Sequence, residues 1–397
     1  MSPGEVYLKF SFMSLKYYIC GLCLLFAGLQ ACRPGGRERS AMSDSSSGEG
    51  APRYAKRFAI SEKGGETRVY VFGNRRNYDT TATFVLYRDS LPSGLSGQHV
   101  YPVRVPCRKV AALSSIYAAM LCELGEIARL AAIDNIDYVN DERIIRKHRK
   151  GDLAELARGP QISLEPTIAL DPDIIFTFGM GEGEKDRDKK LDQSGIPVAI
   201  SIDHLEESPL ARAEWIKFIA VFVDRQATAD SIFDLVERNY LRLKSLAIQS
   251  DRRPSVFTEI KYSDFWYMPG GKSYVAKLLH DASANYLWKD DQQTGSLPLS
   301  FEQVYVRAGT ADFWLNLSTV KTREELLSYD SRYTEFKAFR MGRLYNNTRF
   351  TNSKGYSNYW ETGMIYPDRI LSDLIRIFHP ELNTGVGKDW YYYEQIH

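Results

Sequence analysis

The sequence predicts an α/β protein of two lobes. Each lobe has a mainly parallel sheet flanked by helices, one long rigid helix joins them, and an extra β-hairpin precedes them. Three observations predict this. Short apolar runs alternate with helical patterns twice, after Lys109 and again after Arg253. A related segment stands in each half: PQISLEPTIALDPDIIF from Pro160 to Phe176, and LPLSFEQVYVRAGTADFW from Leu297 to Trp314. Between the halves lies RQATADSIFDLVERNYLRLKSLAIQS, Arg225 to Ser250, without Gly or Pro.

The N-terminus carries MSLKYYICGLCLLFAGLQAC, Met13 to Cys32. A Lys, an apolar run and a small residue before a Cys describe a bacterial signal peptide. The run Tyr17 to Leu29 is too short and interrupted for a spanning helix. LQAC resembles a lipoprotein processing box, so Cys32 is expected to become the lipidated first residue. The pattern begins at Met13, which leaves the true start open between Met1 and Met13. Residues 33–52 are Gly, Ser and charge, a flexible tether. The expected body is then an N-terminal lobe over 53–224, a connecting helix over 225–250 and a C-terminal lobe over 251–397. A net charge of +1 argues against a nucleic-acid partner. Of five cysteines, Cys20 and Cys23 leave with the signal and Cys32 takes lipid. Cys107 and Cys122 remain, either paired or as two buried thiols.

TRVYVFGN and TATFVLY alternate apolar and polar residues around a turn, which predicts the hairpin. KVAAL, RLAAI, DIIFTF and PVAISI are strand candidates of the first lobe. SVFTEI, NYLW, DFWLNL and RLYNN are those of the second. Strands buried on both faces and alternating with helices make parallel sheets. Helices are expected over 273–283, after Ser300, and over 367–382, the last with Pro367 near its first turn. In the connector, Ile232, Leu235, Val236, Leu243 and Leu246 have helical spacing.

In the repeated motif, Ser163 and Ser300 fit as helix N-caps. Glu165 and Glu302 then fall in the first turns, where the helix dipole favours a carboxylate. One such Glu needs no further explanation. Two at matching places in two lobes suggest exposed acids facing the same way, a docking geometry.

These segments together resemble the helix-linked, two-lobed periplasmic solute-binding proteins of ATP-driven importers for iron complexes, haem and vitamin B12. The resemblance covers most of the chain after about Val103. KVAALSSIYAAMLCELG resembles that family's opening strand, Ser-rich turn and first helix. SLEPTIALDPDIIF and SFEQVYVRAGTADFW resemble its two lobe signatures. ESPLARAEWIKFIAVF and YWETGMIYPDRILSDLIRIFHPEL resemble the helix before the connector and the C-terminal end. The resemblance implies that Glu165 and Glu302 meet arginines of a permease dimer, which works with its ATPase. It implies a siderophore, haem or cobalamin ligand, binding and release in place of catalysis, a monomer, and a location on the periplasmic face of a bacterial membrane. The vitamin B12 binder has an acid where Ala119 stands, a departure that weakens cobalamin specifically. No resident cofactor is implied, since the ligand itself would be the metal complex.

Ligands of open α/β sheets gather outside the carboxyl ends of strands. That places Ser114, Ser115 and Tyr117 on the first lobe's cleft floor, with a helix start able to meet an anionic group. The second lobe offers Trp266, Tyr267 and Gly271 in KYSDFWYMPGGKS, and Tyr356, Trp360 and Glu361 in GYSNYWE. Aromatic walls with few polar groups suit a large flat or ring-rich ligand. Met268 and Tyr356 have the residue types of haem-iron ligands. Enzyme signatures are missing. GMGEGEKD, Gly179 to Asp186, lacks the Gly-Lys-Ser/Thr of a phosphate loop, and Glu184 replaces the third Gly of a dinucleotide fingerprint. The six histidines have no metal spacing. There is no Gly-x-Ser-x-Gly turn. The basic run Arg143 to Lys150 reads as a solvated surface. Two other readings stay open: a chelatase-like periplasmic enzyme acting on a tetrapyrrole, and a ligand-sensing lipoprotein without a permease.

Overall fold

A computed structural model describes residues 52–73, 80–158, 161–385 and 389–397. The signal segment, Cys32 and nearly all of the tether lie outside the described residues. No described helix is long and apolar enough to cross a membrane.

The first lobe is built on a five-stranded sheet in the order Val198–Ser201, Ile174–Phe178, Val110–Ala112, Leu130–Ile133, Ala154–Glu155. Every pairing in it is parallel. Its central strands are almost wholly buried apolar residues, as a sheet covered on both faces requires. The second lobe repeats the plan with Asn285–Tyr286, Ser255–Thr258, Phe313–Leu315, Leu344–Asn346 and Glu394–Gln395. Three of its pairings are parallel and the last, with the C-terminal strand, is antiparallel.

The connector is one unbroken helix, Gln226–Ile248. Its 23 residues span about 35 Å at a rise of about 1.5 Å each. The buried positions are Ala229, Phe233, Val236, Tyr240, Leu243 and Ala247. They step by four and three residues alternately, so they form one stripe. Leu235, expected in that stripe, is instead exposed.

Ahead of the lobes stands a four-stranded sheet where the sequence predicts only a hairpin. Its order is Phe58–Lys63, Glu66–Phe72, Thr80–Tyr87, Val100–Arg104, and the last strand runs parallel to its neighbour. The segment leading into it is held by two buried carboxylates of the first lobe. Glu214 accepts the backbone N–H groups of Arg53, Tyr54 and Ala55 at 2.7–2.9 Å. Glu206 accepts those of Lys56 and Arg57.

The second lobe also contains a small antiparallel sheet, Lys261–Tyr262, Phe265–Pro269 and Ser296–Leu299. This sheet overturns the expectation for Trp266 and Met268. Side chains alternate across a strand. Phe265 is therefore exposed, while Trp266 and Met268 turn inward and have no accessible surface. The Trp266 ring packs among Phe257, Trp314, Tyr333 and Phe336, with centroids 5.5–6.0 Å away. Its indole N–H donates to the Thr258 carbonyl at 2.9 Å. Trp266 is a core residue and not a ligand-stacking one, and Met268 beside it cannot reach a ligand's metal.

Cys107 and Cys122 are both free and buried, and burial pushes each thiol up to about 12. They are inert packing groups at neutral pH.

Truncating a buried tryptophan costs about 3–5 kcal/mol. Trp266→Ala is expected to lower the unfolding free energy by that amount, read as a fall in the urea midpoint by circular dichroism. An unchanged midpoint would return Trp266 to the surface of a cleft.

Candidate functional site

The carboxyl edges of the two parallel sheets face each other. The segment after Leu130–Ile133 in the first lobe meets the segment after Leu344–Asn346 in the second. Asn352 donates its side-chain N–H groups to the Asp137 and Val139 carbonyls at 2.9 and 3.0 Å. Tyr356 packs edge-on against Tyr138 at 4.7 Å. Glu361 accepts the Asn140 backbone N–H at 2.7 Å, the Asn140 amide at 3.1 Å and the Asp141 N–H at 3.2 Å. Tyr366 donates to Glu123 across the same boundary. Burial pushes the Glu361 carboxyl up to about 7 against the pull of those N–H donors.

Tyr356 and Glu361 were expected to face a ligand. In this arrangement both grip the opposite lobe instead, because the loop that carries them folds over residues 135–141. Gly271 is also explained by packing: a Cβ there would stand 2.3 Å from the Asp291 carbonyl oxygen. Glycine is needed for close approach of the 288–291 turn. Tyr117 is buried and donates its hydroxyl to Asp203 at 2.9 Å, so it belongs to the first lobe's interior. Ser114 caps the helix Ser115–Glu123 through the Ile116 N–H, and both serines are half-buried at the carboxyl end of Val110–Ala112. Tyr267 and Trp360 are half-buried, Trp360 with its ring edge-on to Tyr359 at 4.7 Å.

Behind this rim, the two lobes bring together polar groups that the sequence analysis did not single out. From the first lobe come Asp203 and Arg212. Asp203 accepts from Tyr117, from Ser201 at 2.9 Å and from Arg212 at 3.3 Å. Burial opposes its charge, but Arg212, His204 and the two hydroxyls outweigh that and hold the carboxyl below its usual range. The Arg212 guanidinium lies over the Tyr274 ring of the second lobe, 5.0 Å from its centroid. The Tyr274 hydroxyl is buried and has no hydrogen-bond partner.

From the second lobe comes Glu259, the residue that follows the interior strand Ser255–Thr258. Its φ of 65° is left-handed, as is that of Asn316 at 59°, which follows the neighbouring strand Phe313–Leu315. Neither is glycine, so each conformation is strained. The main chain here is tied by Glu259 N–H to the Leu315 carbonyl at 3.0 Å and by the Trp314 indole N–H to the Glu259 carbonyl at 2.7 Å. Asn316 accepts from the Tyr393 hydroxyl at 2.8 Å, and its side chain favours the charged form of Glu259. Desolvation pushes the Glu259 carboxyl up to about 8, and no cation offsets it. Glu259 nonetheless keeps some accessible surface. The charge of Glu259 also acts on the hydroxyls of Tyr286, Tyr359 and Tyr393, which its field and their burial hold in the neutral form.

Three other candidates fall away. In the Gly179–Asp186 loop, Asp186 accepts the N–H groups of Met180, Gly181 and Glu182, so those amides have no room for a phosphate. A cavity lined by Phe72, Ile200, Asp186 and Arg187 holds about 20 Å³, far below the roughly 300–1,000 Å³ of ligand pockets. Among the described residues, no three His, Cys, Asp or Glu side chains converge as a metal site.

Glu165 and Glu302 are both exposed, in the first turns of the helices Leu164–Leu170 and Phe301–Ala308. Ser300 makes a full capping box with Gln303. The Ser163 side chain does not cap its helix, contrary to expectation; its carbonyl takes the Thr167 hydroxyl instead. Each acid has an apolar companion one turn further on: Ile168, 48% exposed, and Val306, 86% exposed. Glu302 lies 3.2 Å from Arg332, an exposed pair of little energetic weight.

Two parallel-sheet lobes, opposed at their carboxyl edges and joined by one long helix, define a two-lobed solute-binding protein. Residues 110–348 match the family described as periplasmic binding protein, and the chain belongs to that family. Among curated relatives, an uncharacterized lipoprotein of Methanocaldococcus jannaschii is 26% identical over 298 residues, 73% of this chain and 69% of the relative. A second lipoprotein of that organism is 28% identical over 251 residues, 61% of each chain. Among solved structures, the fold is similar to the periplasmic haem-binding protein RhuT of Roseiflexus sp. RS-1, at 17% identity and a TM-score of 0.52 over 69% of this chain and 98% of that one. A periplasmic haem-binding protein of Pseudomonas aeruginosa gives 16% and 0.53, covering 70% and 94%. The vitamin B12 binding protein BtuF of Vibrio cholerae gives 12% and 0.51, covering 71% and 99%.

The raised Glu259 carboxyl has a consequence for stability. The folded protein favours its neutral form, so the penalty is absent near pH 4 and grows as pH rises towards 8. Glu259→Gln keeps the shape and the Asn316 contact. It is expected to melt like wild type at pH 4.5 and above it at pH 8.5, by calorimetry. Equal melting temperatures at both pH values would place the carboxylate in open water.

Proposed function

We propose that this protein is the substrate-binding lipoprotein of an ABC importer. It captures an iron complex (siderophore or haem) or cobalamin between its lobes and delivers it to a membrane permease. The observation that carries this reading is the opposition of the two carboxyl edges, with polar and aromatic groups of both lobes converging at Asp203, Arg212, Tyr274 and Glu259. Family membership and the likeness of fold to haem and vitamin B12 binders support it. The work done is binding and release. The long connecting helix limits hinging, so ligand entry involves a modest parting of the lobes at the Glu361 contact, and the closed form holds the ligand by both walls. Lipid at Cys32 would keep the body near the permease, with the tether setting its reach. The names of the curated relatives support a lipoprotein.

Docking follows from the two exposed acids. A carboxylate pairs well with the arginine fork. The apolar companions Ile168 and Val306 add area that an exposed helix in a monomer would not need. Two such acid–apolar pairs, one per lobe, orient the protein on a two-fold permease.

The Glu165→Ala, Glu302→Ala double variant is expected to fold normally and bind ligand as wild type does, since first-turn acids contribute only about 0.3–1 kcal/mol. Uptake and permease-stimulated ATP hydrolysis in proteoliposomes should fall at least tenfold. Normal uptake would remove the docking role and favour a sensor without a permease.

Cys32→Ser is expected to leave the chain unlipidated and to move it from the membrane fraction to the soluble one. A variant that sediments with membranes as wild type does would contradict the anchor.

A further inference from the structure

Among the described residues, Glu259 is a strongly desolvated acid with no cation beside it, and that asymmetry says something about the ligand. We propose that Glu259 selects ligands that present a positive centre, either a metal ion with an exchangeable coordination position or a protonated amine, to the floor of the cleft. The inference deepens the proposed function and rests on it.

Three features carry the argument. First, position: Glu259 directly follows an interior strand of the second sheet, at the carboxyl edge where ligands of α/β folds gather. Second, the cost of keeping it: the residue adopts a left-handed conformation beside a second strained residue, Asn316. Strain of this kind persists where the surroundings over-determine it, and it clusters at ligand sites. Third, the contrast with five other buried acids. Glu206, Glu214, Glu361 and Asp373 each accept two or more backbone N–H groups. Asp203 has Arg212. Glu259 has the Asn316 side chain alone among the described residues, with no N–H from the main chain and no cation. The Tyr274 hydroxyl, also unpartnered, belongs to the same interior, where Tyr359 lies close to both residues. A buried carboxylate without donors is costly. A ligand that supplies positive charge removes that cost, whereas a ligand that is negative or neutral at this point leaves it.

The titratable groups facing Glu259 are Tyr286 on the edge strand, Tyr359 after the strand Leu344–Asn346, and Tyr393 near the C-terminus. Burial holds all three hydroxyls well above neutral pH, so none competes for the proton. The carboxyl must lose its proton to pair with a cation. Affinity for a positive ligand therefore rises with pH and levels off above about 8, and binding below that releases a proton.

The test uses three matched pairs of probes on the soluble body, by fluorescence quenching and calorimetry. Haemin, with open axial positions, is set against metal-free protoporphyrin IX. Aquocobalamin, positive with an exchangeable axial water, is set against neutral cyanocobalamin. Ferrioxamine B, which bears an ammonium, is set against cyclic, uncharged ferrioxamine E. Wild type is expected to prefer the positive member of the pair it accepts by about tenfold or more, the scale of a charge-assisted contact. Glu259→Gln should bring that ratio near one, and Glu259→Asp should keep part of it. The first two pairs winning identifies a coordinated metal, and the third identifies the amine. Equal affinity within the accepted pair in wild type, or a preference that survives in Glu259→Gln, overturns the role of Glu259 and leaves the importer reading standing. Failure of wild type to bind any of the six probes overturns both.

Discussion

A carboxylate taken out of water needs hydrogen-bond donors or it gives up its charge. That constraint organises this molecule. Glu214 and Glu206 gather the backbone N–H groups of residues 53–57 and hold the entering chain against the first lobe. Asp373, on the last helix, accepts the N–H groups of Tyr391, Tyr392 and Tyr393 at 2.7–3.1 Å and fixes the C-terminal segment. Glu361 takes N–H groups of Asn140 and Asp141 and draws the lobes together. Each acid joins segments distant in sequence, which short-range pattern does not specify. At Glu259 the same constraint is not met by main-chain donors among the described residues, and its carboxyl is pushed up to about 8.

The joints also explain how the floor is assembled. Asp373 sets the position of Tyr393, Tyr393 donates to Asn316, and Asn316 contacts Glu259. On the facing side, Asp203 orients Arg212, and Arg212 covers Tyr274. The chain thus reaches its cleft from two directions, through the second lobe's C-terminal strand and through the short helix Pro209–Ala213 ahead of the connector. The connecting helix supplies the spacing between them. Its buried stripe packs along the final helix Pro367–Phe378, through contacts such as Asn239 to Asp368 at 3.1 Å. Because burial holds the Glu361 carboxyl up near 7, the contact favours its neutral form, and its grip on the first lobe weakens as pH rises towards and through neutrality.

Much of this architecture was legible in the sequence. Buried strands alternating with helices announce parallel sheets, and each of the eight expected strand runs contains a strand. The repeated motif placed Glu165 and Glu302 on exposed first turns. The site was less legible, for physical reasons. KYSDFWYMPGG reads as a strand end followed by an aromatic loop, and period-two alternation over four residues was too short to reveal that Trp266 faces inward. Glu361 and Tyr356 sit in an aromatic run that suggests a ligand wall. Their actual partners, Asn140 and Tyr138, lie more than two hundred residues away. Glu259 had one local signal, an acid directly after the buried run SVFT. Nothing local indicated the left-handed turn or the tyrosines around it. Residues that form one site from opposite ends of a chain become visible only when the chain is folded.

The account stands or falls on a small molecule being held between the lobes. Native mass spectrometry of the mature protein purified from its own source, with an absorbance spectrum of the same sample, tests that most directly. The account calls for a one-to-one adduct with the mass and absorbance of a metal-bearing or macrocyclic compound, released when the protein is unfolded. A mass of the bare chain alone, in a sample without absorbance above 300 nm, would contradict it.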